Sequence, residues 1–84
     1  MQAPMIHANG TSREVLLQQV FKARQALRAA IEALELTAPH NRDYYLLSPE
    51  AWRLAHVEHG HRVSRLQMVH EELLGLFEMI LEQD

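Results

Sequence analysis

Large apolar residues recur at helical spacing in the first half of the chain. They return every three, four or seven positions and are separated by polar residues, as at Leu17, Val20, Phe21, Leu27, Ile31 and Leu34. Residues three and four apart share one face of an α-helix, so this spacing predicts a helix. The helix begins at Thr11 or Ser12, and Thr11 followed by Glu14 fits a capping box. Pro39 ends it because the residue before a proline avoids helical backbone. We therefore predict a helix over about 12–37.

A second stretch repeats the pattern after Ser48-Pro49-Glu50. Serine is a common helix cap, proline suits the first helical turn, and glutamate favours the positive end of the helix dipole. The apolar stripe that follows comprises Trp52, Ala55, His59, Val63, Leu66, Val69, Leu73, Leu76, Phe77 and Ile80. It predicts a helix over about 49–82. Gly60 and Gly75 lie inside this helix, either as tolerated losses of stability or as points of close approach for another helix.

The segment 38–48 joins the two predicted helices and is short enough to make them antiparallel neighbours. The predicted fold is all-α, an antiparallel two-helix hairpin forming one domain over 1–84, with an N-terminal arm at 1–10. Four large side chains, Tyr44 to Leu47, follow one another in the connecting segment. They either cover the end of the hairpin near Leu34 and Trp52, or form an exposed recognition site, since tyrosine is a frequent interface anchor.

The second helix is longer than the first, which leaves an apolar overhang in the predicted hairpin. If Leu34 lies opposite Trp52, about ten residues, or about 15 Å, extend past the first helix. Large exposed apolar patches mark contact sites on proteins, so the overhang predicts an interface. Its predicted members, together with the tyrosines of the connecting segment, are Leu73, Leu74, Leu76, Phe77, Met79, Ile80, Leu81, Tyr44 and Tyr45. We expect a homodimer, a four-helix bundle of two hairpins; a different protein supplying the missing helices is the alternative.

Polar side chains interrupt the apolar stripes at two points. Arg24 and His59 occupy positions where an apolar residue is expected, and the register above brings them close together. With Glu58 they form a predicted polar layer, the kind of feature that fixes helix register. His56 and His59 share a helical face, and Glu32 would complete a two-histidine, one-carboxylate metal site.

Composition narrows the possible functions. The chain has 84 residues, no cysteine and a formal net charge of −3. Disulfides are excluded, so a domain this small depends on a metal or on association for additional stability. The negative charge argues against nucleic-acid binding, and no apolar run is long enough to span a membrane. The N-terminus lacks the features of a signal peptide, so we expect a cytoplasmic protein.

Catalytic motifs are missing from the sequence. It has no glycine-rich phosphate loop and no GxSxG motif, and a two-helix hairpin offers little concave surface for a substrate. We predict neither an enzyme nor a cofactor, but a small protein–protein interaction module that acts through an apolar helical face. The alternative is a metal-binding helical protein that uses the histidine cluster.

Overall fold

The computed structural model describes residues 1–83 and consists of two long antiparallel helices. Helix α1 spans Arg13–Glu35, helix α2 spans Pro49–Leu81, and a short 3-10 helix covers Asn41–Asp43 between them. The molecule is a rod that measures 63 × 20 × 16 Å. The predicted all-α helical hairpin is therefore confirmed, and both helices lie within about two residues of their predicted limits.

Serine side chains cap both helices. The Ser12 hydroxyl accepts a hydrogen bond from the Val15 amide at 3.3 Å, and the Ser48 hydroxyl accepts one from the Ala51 amide at 3.1 Å. The cap of α2 agrees with the prediction. The predicted capping box of Thr11 and Glu14 is wrong, because Ser12 is the N-cap of α1. Glu14 instead lies in the first turn, where its charge favours the helix dipole.

The two helices meet along seams in which steps of three and four residues alternate. The α1 seam comprises Arg13, Leu17, Val20, Arg24, Leu27, Ile31 and Leu34, and the α2 seam comprises Val63, Leu66, His70, Leu73, Phe77 and Ile80. All of these side chains are buried or half-buried. This is the heptad pattern of a coiled coil. Phe21, which the sequence placed in the α1 stripe, lies beside the seam and is exposed.

The register of the hairpin differs from the predicted one by about one heptad. Arg24 lies against His70, donating from Nε to the His70 carbonyl oxygen at 3.3 Å. Arg28 and Gln67 line one groove between the helices. These pairs place the end of α1 near His59, so the prediction that Leu34 lies opposite Trp52 is wrong. A shift by one heptad brings the same seams together, so the apolar pattern alone does not distinguish the two registers.

The C-terminal end of α2 is consequently enclosed and does not overhang. Arg13 in the first turn of α1 donates to the Gln83 carbonyl oxygen. The N-terminal arm also packs here, with the Ile6 amide donating to Gln83 Oε1 at 3.0 Å. Ile80 is only 1% exposed. The predicted apolar overhang at this end is therefore wrong, and another surface must support any argument for a partner.

The unpaired part of α2 is instead its N-terminal portion, and the connecting segment lies along it. Pro39 and Tyr44 form a groove together with Ala55 and His59 of α2. The residues after Tyr44 do not cover the end of the hairpin, since Tyr45, Leu46 and Leu47 are exposed. Covering was the first of the two interpretations of this segment, and it holds only for Tyr44.

Gly60 is a site where substitution should stabilise the protein. A Cβ added there meets no atom within 4 Å, so no neighbouring helix approaches it in the hairpin. We expect Gly60→Ala to raise the free energy of unfolding by about 1 kcal/mol, since alanine is the better helix former. Urea denaturation measures this. Gly75→Ala is the matched comparison and should gain less, because its Cβ would lie 3.0 Å from Met1 Cε. A loss of stability in Gly60→Ala would contradict the open space around it.

Candidate interaction surface

The residues predicted to form an interface fall into two groups in the structure. Leu73 and Phe77 are half-buried and Ile80 is fully buried in the α2 seam, so these three contribute mainly to the hairpin itself, whereas Leu76 is half-buried beside that seam. The exposed members are those that lie beside the α2 seam or in the connecting segment, namely Leu74, Met79, Leu81 and Tyr45. Tyr44 is half-buried. The predicted surface is therefore not one continuous patch.

The predicted polar layer is also divided. Arg24 binds His70, with a guanidinium nitrogen 3.5 Å from the ring Nδ1 in addition to the bond to the carbonyl oxygen. His59 is buried at the other end of the seam, beside the connecting segment. Glu58 lies 4.0 Å from Arg62 of its own helix, in an exposed pair. The grouping of Arg24, His59 and Glu58 is wrong because it depended on the incorrect register.

The histidine cluster does not form a metal site within one copy. The His56 ring stacks on Trp52, with the ring centroids 5.3 Å apart. Glu32 lies 4.0 Å from Arg28. Among residues 1–83 no three histidine, aspartate or glutamate side chains are placed to hold a metal ion. The structure thus does not bring His56, His59 and Glu32 together.

One side of the hairpin, which we call the Phe21 flank, is mixed in character. Its central groove is lined mostly by polar and charged side chains: Arg28, Ile31, Glu32, Glu35, Gln67 and His70. One heptad further along the rod, the positions of Arg28 and Gln67 are taken by Phe21 and Leu74. Phe21 is 47% exposed and Leu74 38%. The Phe21 flank therefore presents a small apolar patch surrounded by charges.

The opposite side of the hairpin is less charged. A groove near the connecting segment contains Thr37, Glu58 and Arg62. Residues seven apart lie on the same side of a helix in a coiled coil. Ala30 and Ala23 therefore share this side of α1 with Thr37, and Val69 and Leu76 share this side of α2 with Arg62. We call this side the alanine flank. Its α1 part carries no charge over five turns and comprises Leu16, Gln19, Ala23, Ala26, Ala30 and Ala33.

The alanine flank was not predicted from the sequence, although its signal is present there. Alanine is the best helix former, so alanines in a sequence indicate a helix without indicating which face of it is packed. The steps of three and four from Leu16 to Ala33 form a second seam on α1, beside the one that packs on α2. All four alanines of this second seam are exposed in the hairpin. A helix with two such seams is suited to packing between two neighbours.

The hairpin as a whole leaves an unusual amount of surface exposed. Its accessible area is 6510 Å², whereas a compact protein of this mass has about 5,100 Å². Its radius of gyration is 18.7 Å, against about 12 Å for a compact domain of this length. Ile80 is the one apolar side chain that is fully buried among the described residues. Two helices alone thus bury too little surface to resemble a self-sufficient domain.

Comparison with known proteins gives no relative from which a function could be inferred. No family model, curated protein or solved structure matches the chain. Within residues 1–83, neither helix combines the length and the apolar character that crossing a membrane requires. The case for a function therefore depends on the surface of the hairpin.

Proposed function

We propose that this protein is a non-catalytic protein–protein interaction module and that its first partner is a second copy of itself. The observation that carries the proposal is the small extent of burial within one hairpin. A seam of about six layers is present, yet among residues 1–83 only the side chains of Ile80 and His59 are buried. Domains this small need a further source of stability, and the sequence has no cysteine to supply disulfides.

Another pair of helices would supply the burial that one hairpin lacks. Helical hairpins commonly pack in pairs as four-helix bundles, in which each helix contacts two neighbours. The second seam on α1 supports this arrangement, because one seam packs on α2 and the other remains open. A closed symmetric dimer buries the same patch on both copies, so one apolar flank serves both partners. The surplus of accessible surface of one chain over that of a compact monomer is about 1,400 Å², more than the roughly 800 Å² that each partner contributes to a standard protein interface.

The exposed connecting segment provides a second place for recognition. Leu36, Leu46 and Leu47 are 88%, 83% and 70% exposed, among the largest values for the large apolar side chains of residues 1–83. Tyr45 lies with them and is also exposed. Scattered apolar side chains on a surface are ordinary, but this group is concentrated at one end of a rod. We propose that this end contacts a different protein, while the flank of the rod holds the two copies together.

The mass of the protein in solution tests the proposal. One chain is 9.7 kDa, so a dimer is twice 9.7, or 19.4 kDa. We expect light scattering after gel filtration to give the dimer mass and sedimentation equilibrium to give a reversible monomer–dimer equilibrium. A folded, helical species that remains at 9.7 kDa even at about 100 μM, a concentration at which a micromolar dimer is largely associated, would overturn the proposal of self-association.

A further inference from the structure

We infer that the two copies pack through the alanine flank, with their connecting segments at opposite ends of the bundle. This inference rests on the proposed self-association and specifies its geometry. In this arrangement α1 packs antiparallel on α1 of the second copy, and α2 packs antiparallel on its counterpart. The two-fold axis crosses the rod at the level of Val69, which lies near Ala23 and Ala26 in the observed register.

The size of the flank is sufficient for a stable interface. Helix α1 has 23 residues, which corresponds to about 35 Å of length. The rod is 20 Å wide in its second dimension. Each copy therefore contributes about 700 Å², or about 1,400 Å² for the pair, within the standard range for specific complexes. Alanine side chains also permit two helix axes to approach more closely than leucines do, which increases the contact between the backbones.

Charge favours the arrangement in which the connecting segments lie at opposite ends of the bundle. The outer row of the alanine flank on α2 follows heptad steps from Glu58 through Arg65 to Glu72. When α2 packs antiparallel on α2 with Val69 at the centre, Arg65 of each copy lies beside Glu72 of the other. Two opposite-charge pairs form by symmetry. If the connecting segments were at the same end, both charges would face the uncharged alanines of α1, which leaves them without partners.

The Phe21 flank does not fit a second copy equally well. If two copies packed through the Phe21 flank with the two-fold axis at the level of Val69, Phe21 of one copy would lie beside Arg28 of the other. Glu14 would lie near Glu35, and this like-charge pair opposes association. The same symmetry operation therefore creates attraction on the alanine flank and repulsion on the Phe21 flank.

A charge placed at the centre of the proposed interface is the first test. Ala26 is exposed in the hairpin, so Ala26→Glu leaves the α1–α2 seam unchanged. In the dimer it buries two glutamates near the two-fold axis, and we expect the dissociation constant to rise about 100-fold or more. Phe21→Glu is the matched control on the opposite flank and should leave the dissociation constant within about threefold. Sedimentation equilibrium measures both, and circular dichroism confirms that each variant remains helical.

A charge exchange tests the pairing of the α2 helices. Arg65→Glu and Glu72→Arg each place like charges together across the interface, and each should weaken association about tenfold. The double variant Arg65→Glu/Glu72→Arg restores both opposite pairs and should regain most of the wild-type affinity. Additive weakening in the double variant would overturn the proposed orientation.

The outcomes separate this inference from the proposed function. A wild-type protein that dimerises while Ala26→Glu dimerises equally well overturns the alanine flank as the interface and leaves self-association intact. Weakening by Phe21→Glu with no effect of Ala26→Glu assigns the interface to the other flank. A wild-type protein that stays monomeric overturns the proposed self-association itself, before any variant is compared.

Discussion

Replacing Ile80 with alanine is expected to lower the free energy of unfolding by about 3 kcal/mol. Ile80 is 1% exposed and lies where α1, α2 and the N-terminal arm converge. Shortening it removes buried apolar surface and leaves a cavity that the two rigid helices cannot fully close. The thermal midpoint should fall by more than about 10 °C, since a small domain loses about 4–8 °C for each kcal/mol. Thermal and urea denaturation at one fixed protein concentration measure the effect.

The control for Ile80 is its neighbour in sequence. Leu81 is 53% exposed and lies beside the seam. Leu81→Ala should therefore change the free energy of unfolding by less than about 1 kcal/mol, as is usual for substitutions on a surface. Equal losses in the two variants would contradict the enclosed position of Ile80. They would indicate that this end of α2 packs in the way the sequence alone suggested, with both side chains in an interface.

The helices themselves could be predicted from local chemistry. Ser48-Pro49-Glu50 is a strong start signal because each residue independently favours the first turn, and the structure begins α2 at Pro49. The periodic stripes placed the seam residues from Leu17 to Leu34 on one face of α1, with Phe21 as the exception. Element type and approximate limits depend on neighbours within a few residues. That information is contained in any sequence with clear caps.

The register could not be predicted in the same way, because it depends on distant contacts. Both helices carry heptad seams, so sliding one past the other by seven residues returns similar apolar contacts. The choice of Leu34 opposite Trp52 assumed a tight connection, but the chain between the helices extends along the unpaired N-terminal part of α2 at Pro39 and Tyr44. The N-terminal arm adds contacts to Gln83 that have no local sequence signal. The errors in the predicted overhang and polar layer follow from this displacement and from the contacts of the N-terminal arm.

Arg24 supplies a physical reason for the observed register. A charged side chain at a seam position needs a polar partner, and a single polar seam residue commonly fixes the alignment of a coiled coil. In the structure the Arg24 guanidinium reaches the carbonyl oxygen and the ring of His70. One heptad from His70, the residue at the same seam position is Val63, whose apolar side chain offers the guanidinium no hydrogen-bond partner. A guanidinium without a partner beside valine opposes that alignment, even though it satisfies the apolar pattern.

An engineered disulfide should distinguish the two registers directly. One heptad from the Arg24–His70 pair, Ile31 lies opposite Val63, and both are half-buried. Because the protein has no cysteine, the variant Ile31→Cys/Val63→Cys contains a single pair of thiols. We expect it to oxidise almost completely, with the disulfide formed within one chain. Closing the loop between positions 31 and 63 should raise the free energy of unfolding by about 4 kcal/mol, chiefly by restricting the unfolded chain.

The matched variant tests the rejected alignment. Ile31→Cys/Ala55→Cys would form the cross-link only if Leu34 lay opposite Trp52. In the observed register these two cysteines are about two helical turns apart along the rod, or about 11 Å, beyond the reach of a disulfide. Non-reducing electrophoresis and mass spectrometry of the oxidised proteins compare the two pairs. An efficient cross-link in the second variant together with a failure of the first would contradict the contact between Arg24 and His70. It would also move the two-fold axis away from Ala23 and Ala26, so the internal register and the proposed interface depend on the same alignment of α1 with α2.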